Sequence, residues 1–440
     1  MNLPEEPADK RSKMTTSVPD CDEPREEVRC KYFLQRKKRL CKMTVGRGKF
    51  YCGEHEVIAT DDDGFSTSNP DRIPCPLDPK HSVSSMKLEK HLRVCNARVK
   101  DQPDYIQPGI NSTSDNECDA GGEKSINSCK LADVPLEDLK FLIGKIGEIY
   151  ETDSRISSLE QLLLEHAFFK EQLTDKSYGP MTLKHVIQLA SLLGIIEHEH
   201  FLQSDTAFVE FGAGKGQVTF ALASIIQQSS ELTNSKVLLI DRASHRHKQE
   251  NRIEDRKIVH RIRADIADLE LSKLNMLQSS KRVIGIGKHL CGAATDLALR
   301  CLVRSNHELP PNKGEECRSE GFVFALCCHN RCDWRSYTGK KFLLSKGIDQ
   351  SEFDRMVRMT SWAVCGSGTS REKRKLTDAD DCVKYGFTRT EREDIGRKCK
   401  RVLDLGRLDY LEQNGFSAQL KFYAKSEITL ENVCLIGHLK

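Results

Sequence analysis

The chain has 440 residues and a formal net charge of +3, with 68 Lys and Arg against 65 Asp and Glu. This length exceeds a typical single domain and predicts two or three units. No apolar run approaches the roughly 18 residues of a membrane span, and the N-terminus lacks a signal-peptide pattern. We therefore expect no membrane association and an intracellular protein, in the nucleus, the cytoplasm or both. The 18 cysteines then indicate metal binding or chemistry rather than disulfides.

The first motif follows an N-terminal tail, residues 1–27, that we expect to be disordered. Residues 28–57 contain four zinc ligands with intervening segments of ten, ten and two residues: Cys30, Cys41, Cys52 and His55. Three thiolates and one imidazole form the closed tetrahedral set of a structural zinc site. Phe33, Phe50 and Tyr51 supply little core, so this CCCH-type finger needs metal to fold. The alternative is a chance match in a short basic segment.

A second set of four ligands lies within residues 72–99: Cys75, His81, His91 and Cys95. Met86 to Val94 reads as a helix, and the last two ligands are four residues apart, so both can face one metal. The spacing is similar to the CHHC finger of RNA-associated proteins. Basic residues outnumber acidic ones around this finger, which favours phosphate contacts. A merely solvated face is the competing interpretation.

Residues 100–133 are polar and predict a linker, in which Cys118 has no ligand partner. Residues 134–205 predict a helical extension, because apolar residues recur there at three- and four-residue spacing. The predicted helices are Pro135–Tyr150, Ser154–Glu171 and Met181–Leu193.

From residue 206 to the C-terminus at 440, strands and helices alternate. The predicted strands are Ala207–Phe211, Lys236–Ile240, Val259–Arg263, Arg282–Gly287 and Phe322–Cys327. Such apolar runs, separated by helices, predict an α/β fold with a mostly parallel sheet covered on both faces. A helix over Cys399–Gly415 and strands over Phe416–Lys425 and Val433–Leu439 then predict a C-terminal antiparallel hairpin.

The loop after the first of these strands carries glycines at alternate positions, Gly212, Gly214 and Gly216, and Glu210 precedes them. A dinucleotide fingerprint would place its last glycine where Gln217 stands. The loop resembles the first motif of Rossmann-like S-adenosylmethionine-dependent methyltransferases. That resemblance implies that the glycines admit the methionine moiety of the cofactor and that the carboxylate helps to orient it.

The remaining strands also end in distinctive residues, at the edge where such sheets bind ligands. Asp241 stands where the family's ribose-binding carboxylate is expected, and Asp265 lies in a segment resembling the adenine contact. Lys288 and His289 follow the fourth strand. The fifth runs into the sequence CCHNRC at residues 327–332, which indicates packed reduced thiols, a third metal site or a nucleophilic cysteine.

The chain combines several motifs in a fixed order: the two fingers, a methyltransferase domain, KHLCG at 288–292 and CCH at 327–329. This combination resembles the eukaryotic tRNA 2′-O-methyltransferases that modify nucleotide 4 of the acceptor stem. The resemblance implies a tRNA substrate and S-adenosylmethionine, besides two structural zinc ions and no obligate protein partner. Lys288 and His289, then His329, are the candidates for deprotonating the ribose hydroxyl or stabilising its alkoxide.

Two alternative functions stay open: methylation of an RNA base or a protein, and an inactive zinc-finger RNA-binding adaptor. Two basic runs, Arg371–Lys375 and Arg397–Arg401, could add phosphate contacts. The first could instead be a nuclear localisation signal or a solvated run.

Overall fold

The computed structural model of the chain divides into two compact units, Met1–Gln102 and Pro103–Lys440. It describes residues 29–35, 38–46, 48–52, 55, 72–95, 97, 102–113, 131–243, 252–307, 318–364 and 386–440. The tail at 1–27 and the basic run Arg371–Lys375 lie outside those residues. Among the described helices, none has the length and apolar character needed to cross a membrane.

The first unit contains two small antiparallel hairpins. Strands β1 (Phe33–Leu34) and β2 (Arg39–Leu40) form one of them, and β3 (Arg72–Cys75) and β4 (Asp78–Ser84) form the other. A 3-10 turn at Ser85–Lys87 leads into helix α1 (Leu88–Val94). The sequence predicted this region as one helix over Met86–Val94.

The second unit is built on a seven-stranded sheet. Its strands are β5 (Thr206–Phe211), β6 (Lys236–Ile240), β7 (Val259–Ile262), β8 (Arg282–Cys291), β9 (Arg318–Cys327), β10 (Phe416–Phe422) and β11 (Val433–Leu439). Their order is β10-β11-β9-β8-β5-β6-β7. Strands β5 to β9 pair in parallel, and β11 is antiparallel to both of its neighbours. This arrangement confirms the mostly parallel sheet with a C-terminal antiparallel hairpin.

Helices cover both faces of the sheet, because successive strand residues point to opposite sides. On β5, Val209 joins one core layer and Phe208 the other. The first layer packs against α2 (Leu136–Thr152), α7 (Ala293–His307) and α10 (Arg389–Gln413), and the second against α5 (Pro180–His198) and α6 (Gln217–Gln228). The described part of this unit also contains four shorter helices: α3 (Ser154–Ser157), α4 (Lys170–Thr174), α8 (Lys340–Ser345) and α9 (Gln350–Met359).

The helix predicted over Ser154–Glu171 is wrong. Helix α3 ends at Ser157, and an extended segment follows that bonds to the edge strand β10 through Leu162 N to Phe422 O and Phe422 N to Glu160 O, each at 2.9 Å. An edge strand presents unpaired backbone groups, and bonding to them satisfies this segment better than a helical turn would. This pairing is non-local, so helical periodicity could not reveal it.

Part of the predicted linker belongs to the second unit. Residues 103–113 pack against it, with Asn111 buried and its amide donating to the carbonyls of Ile266 and Leu269, both at 2.7 Å. Arg300 in turn donates to Asn111 O at 2.6 Å. The second compact unit therefore begins about thirty residues earlier than the predicted helical extension.

Candidate active site and metal centres

The glycine loop after β5 adopts a backbone that only glycine accepts without strain. Gly212, Gly214 and Gly216 have φ values of 63°, 52° and 72°, which lie in the left-handed region. A Cβ placed on Gly214 would approach nothing closer than 4.0 Å, so the loop has free space beside it. The alternating glycines are thus required by conformation, and they leave room for a ligand to approach the backbone.

Glu210 holds this loop to the helix that follows it. The N-cap of α6 is Gly216, which offers no side chain, and the buried Glu210 carboxylate accepts from Thr219 N at 2.9 Å and from the Thr219 hydroxyl. Glu210 thus accepts a hydrogen bond from a free backbone N–H group of the first helical turn, as an N-cap side chain would. Burial raises the pKa of Glu210 to about 7, although the Thr219 hydrogen bonds oppose the shift. Its predicted contact with the methionine moiety stays a prediction.

Asp241, at the end of β6, lies beside the glycine loop. Its Oδ2 accepts from Gly214 N at 2.8 Å, and its Oδ1 accepts from Ala243 N at 2.8 Å. The glycine loop follows β5, and β5 and β8 flank the point where the strand order reverses, which is the usual ligand position in such sheets. A carboxylate next to an open glycine loop fits a cofactor that carries ribose hydroxyls.

Asp265 follows β7 at the same edge and has a mainly local role in the structure. Its side chain accepts from Ala267 N at 3.1 Å and so caps the short turn at Ile266–Asp268. Its other oxygen lies 3.9 Å from Arg242 Nη1. The adenine contact of this segment stays a prediction.

Lys288 and His289 lie within β8 rather than after it, which corrects the predicted strand end. The register between β8 and β9 shifts between Gly287 and Leu290, so the two residues form an irregularity in the pairing. Such bulges re-aim side chains and are frequent near active sites. Because a bulge depends on the partner strand, the sequence of β8 alone could not indicate it.

The two side chains of this bulge differ in their surroundings. Lys288 is 5% exposed, whereas His289 is at the surface. The hydrogen bond that the structure records for Lys288 Nζ is a long one, 3.5 Å to His185 O. Burial lowers the pKa of Lys288 to about 8, and the charge of Glu210 opposes that shift. The result is a weakly held amine that is partly neutral near physiological pH.

His329, the third candidate base, is poorly placed for that role. Its ring is 1% exposed, and Nε2 donates to Asp404 Oδ1 at 2.7 Å. Asp404 also accepts from Arg407 Nη1 at 2.9 Å, and Arg407 forms two hydrogen bonds with Asp296. A general base must reach the proton that it abstracts. His329 instead fixes the turn after β9 to α10, so its position does not support the predicted catalytic role.

The three cysteines of the CCHNRC segment do not form one cluster in the structure. Cys332 turns into the core, where Arg407 Nη2 lies 3.2 Å from its sulfur. Cys327 and Cys328 instead meet Cys291, from the end of β8. Sequence reasoning missed Cys291 because only the register of two neighbouring strands brings it there.

The CCCH set comes together as predicted. The ligand atoms of Cys30, Cys41, Cys52 and His55 all lie within 4.8 Å of one another. His55 Nδ1 is 3.4 Å from Cys30 Sγ and 3.3 Å from Cys52 Sγ. Zn–S bonds near 2.3 Å and Zn–N bonds near 2.05 Å imply tetrahedral edges of about 3.4–3.8 Å. The set fits a zinc ion, and the exposed rings of Phe33 and Phe50 leave this unit little other core.

The CHHC set also has tetrahedral dimensions. Cys75 Sγ lies 3.7 Å from Cys95 Sγ, and the Nε2 atoms of His81 and His91 are 3.2 Å apart. His81 Nδ1 is 3.6 Å from an oxygen of Asp78, the kind of outer partner that orients a metal-bound imidazole. These residues would hold a second structural zinc ion.

Comparisons with known proteins agree with this arrangement. Family descriptions match in three places: "Methyltransferase TRM13" over residues 187–438, "CCCH zinc finger in TRM13 protein" over 28–56 and "U11-48K-like CHHC zinc finger" over 72–96. A mouse protein named "tRNA:m(4)X modification enzyme TRM13 homolog" is 35% identical and covers 92% of this chain and 93% of its own. The human homolog is 34% identical over 93% and 94%. The Saccharomyces cerevisiae protein "tRNA:m(4)X modification enzyme TRM13" is 28% identical over 95% and 97%. The chain belongs to the TRM13 methyltransferase family.

Proposed function

We propose that this protein transfers a methyl group from S-adenosylmethionine to the ribose 2′-hydroxyl of nucleotide 4 in the tRNA acceptor stem. The observation that carries the proposal is the junction of a left-handed glycine loop, the Asp241 carboxylate and a buried amine, Lys288, at one edge of the sheet. The relatives that match over nearly their whole length are named for tRNA m(4)X modification.

The residues at this edge suit the cofactor. The glycine loop would admit it closely, Asp241 would accept hydrogen bonds from its ribose, and the Asp265 segment would border its adenine. When bound, S-adenosylmethionine supplies an electrophilic methyl group on a sulfonium that is already a good leaving group. The protein therefore has two tasks, which are to position the ribose and to remove a proton from its weakly acidic hydroxyl.

Lys288 is the residue that fits proton removal. Its pKa of about 8 leaves a neutral fraction at physiological pH, and a base with a pKa near the working pH is the most effective. His289, exposed beside it, is the second candidate. His329 is assigned to positioning of the β9 turn.

A basic groove at the same edge suits the phosphates of an RNA duplex. It has a volume of about 640 Å³ and is lined by part of α10 and by the end of β10. Strand β10 runs parallel to β9, because β11 is antiparallel to both, so Lys425 after β10 lies at the carboxyl edge. The groove lining is net positive, with two acidic residues, Asp394 and Glu427, against five basic ones: Arg397, Lys398, Lys400, Arg401 and Lys425. Duplex RNA is recognised largely through such backbone contacts.

The two fingers add tRNA affinity in this proposal. We expect Cys75→Ser to lose one zinc equivalent relative to the wild type and to bind tRNA about tenfold more weakly, or about 1.4 kcal/mol, because a finger without metal unfolds. S-adenosylmethionine binding should persist, since the glycine loop belongs to the other unit. Metal analysis, tRNA titration and calorimetry measure the three quantities. Cys118→Ser, in the predicted linker, is the control and should behave as wild type; unchanged zinc content in Cys75→Ser would contradict the CHHC assignment.

Methylation of purified tRNA followed by nucleoside analysis tests the reaction. The expected product is a 2′-O-methylnucleoside. A base-methylated nucleoside would favour the alternative of an RNA base methyltransferase, and absence of S-adenosylmethionine binding by calorimetry would favour an inactive RNA-binding adaptor.

A tRNA substrate also implies an intracellular protein, in the nucleus, the cytoplasm or both.

A further inference from the structure

Three cysteine sulfurs meet where β8 and β9 end. Cys291 and Cys327 are opposite each other in the strand register, with their sulfurs 3.7 Å apart, and Cys328 follows directly. The three sulfurs all lie within 4.8 Å of one another. None of the three side chains is fully buried, so this cluster (Cys291, Cys327 and Cys328) is reachable from solvent.

The backbone is shaped to bring two consecutive cysteines to one point. Neighbouring residues of a strand normally point to opposite faces, which would separate Cys327 from Cys328. Cys328 instead has φ 49° and ψ 44°, in the left-handed region. This conformation is uncommon for cysteine, and strained residues of this kind cluster at functional sites.

A glycine after β8 allows the end of β8 and the turn after β9 to approach each other closely. Gly292, directly after Cys291, also has a positive φ of 54°. A Cβ on Gly292 would clash with the carbonyl group and side chain of Arg331, in the turn that follows Cys328. The KHLCG and CCH segments are therefore complementary halves of one junction between the strands.

We propose that Cys291, Cys327 and Cys328 bind a third zinc ion, separate from the two fingers. Zinc–thiolate bonds near 2.3 Å imply sulfur separations of about 3.8 Å in a tetrahedron, and the closest pair is already at 3.7 Å. Binding releases one proton from each thiol and leaves the fourth position to water or another small ligand. Sites with three protein ligands have this open position, whereas both fingers supply four.

A zinc ion at this position would have a structural role. It would tie the end of β8 to the end of β9 only three residues after Lys288, and so fix the bulge that carries Lys288. Glu431 borders the same turn, accepting from Cys328 N at 3.3 Å and from Lys400 Nζ at 2.6 Å. The site does not depend on the identity of the methylated substrate.

Zinc content of the purified full-length protein tests the proposal. We expect three zinc ions per chain in the wild type and two in Cys291→Ser. Cys301→Ser is the matched control, because Cys301 is a buried cysteine of α7 whose sulfur donates to Leu269 O, and serine keeps that bond. This control should keep three. Two ions in the wild type, or three in Cys291→Ser, would overturn the proposal.

A second measurement needs no variant. The native, zinc-replete wild-type protein is treated with iodoacetamide before and after a chelator, and the modified cysteines are identified by mass spectrometry. We expect Cys291, Cys327 and Cys328 to be protected at first and modified after chelation. Rapid modification of all three in the zinc-replete protein, or a Cys291–Cys327 disulfide in protein kept under reductant, would refute the zinc site.

Discussion

Replacement of Lys288 by arginine is expected to lower kcat for tRNA methylation by about 10²–10⁴-fold, the usual contribution of a positioned acid or base. Arginine keeps the positive charge but stays protonated at any working pH. The substitution therefore removes a base while it preserves a cation. This difference separates the two roles that Lys288 could have in the reaction.

The pH dependence of the wild-type enzyme follows from the same residue. The neutral amine is the active form, so kcat should rise with pH and level off above the Lys288 pKa of about 8. At pH 7, one unit below that pKa, about a tenth of the amine is neutral. Lys288→Arg should lack this rise.

His289→Gln is the control, because His289 is the neighbouring candidate in the same bulge. This variant should retain the rise near pH 8 if Lys288 is the base. A Lys288→Arg enzyme with wild-type kcat and an unchanged pH profile would show that the residue acts as a cation or is dispensable. Loss of the rise in His289→Gln, with Lys288→Arg unaffected, would assign the base to His289.

The second large effect concerns stability. Asp296→Ala is expected to lower the free energy of unfolding by about 3–5 kcal/mol, because it removes a partner from a buried charge. Arg407 is 1% exposed, and its Nη2 and Nε donate to the two Asp296 oxygens at 2.7 and 3.1 Å. Without Asp296 the guanidinium keeps only the Asp404 carboxylate as an anionic partner among the described residues. Denaturant titration of the full chain measures the loss.

Glu412→Ala is the matched control for this prediction. Glu412 also pairs with an arginine, Arg155 at 3.1 Å, but both side chains are well exposed. An exposed pair contributes about 0–1 kcal/mol, so this variant should stay close to the wild type. Equal losses in the two variants would contradict the account of the buried network.

That network explains a motif that the sequence presented as catalytic. Burial opposes ionisation of Asp404, but His329, Arg401 and Arg407 hold its pKa well below the usual range. The carboxylate is therefore charged throughout the working pH range and fixes the His329 ring. His329 therefore has a clear part in packing the β9 turn, and its part in proton transfer stays a prediction.

Local signals in the sequence predicted the strands well. Strands β6 and β11 have the predicted bounds, because short apolar runs between turns leave little freedom. The start of α10 was predicted ten residues too late, although Thr388 and Glu391 form a capping box that marks it. This capping box is a sequence signal for the helix start, and the prediction overlooked it.

Other features depended on contacts that no local pattern contains. The extended segment after α3 forms because β10 has a free edge, and the Lys288 bulge forms because β8 pairs with β9. Cys291 joins Cys327 through that same pairing. The ligands of the two zinc fingers, by contrast, were predicted from spacing alone, because each of these two sets lies within about thirty residues of chain.

The most direct test of the account uses a tRNA transcript that lacks one oxygen. Methyl transfer from labelled S-adenosylmethionine is compared among an unmodified transcript, one with 2′-deoxyribose at nucleotide 4 and one with 2′-deoxyribose at nucleotide 5. We predict about one methyl group per tRNA for the first and third transcripts and background incorporation for the second. Equal incorporation into the transcript with 2′-deoxyribose at nucleotide 4 would contradict the assignment of the ribose hydroxyl at that position.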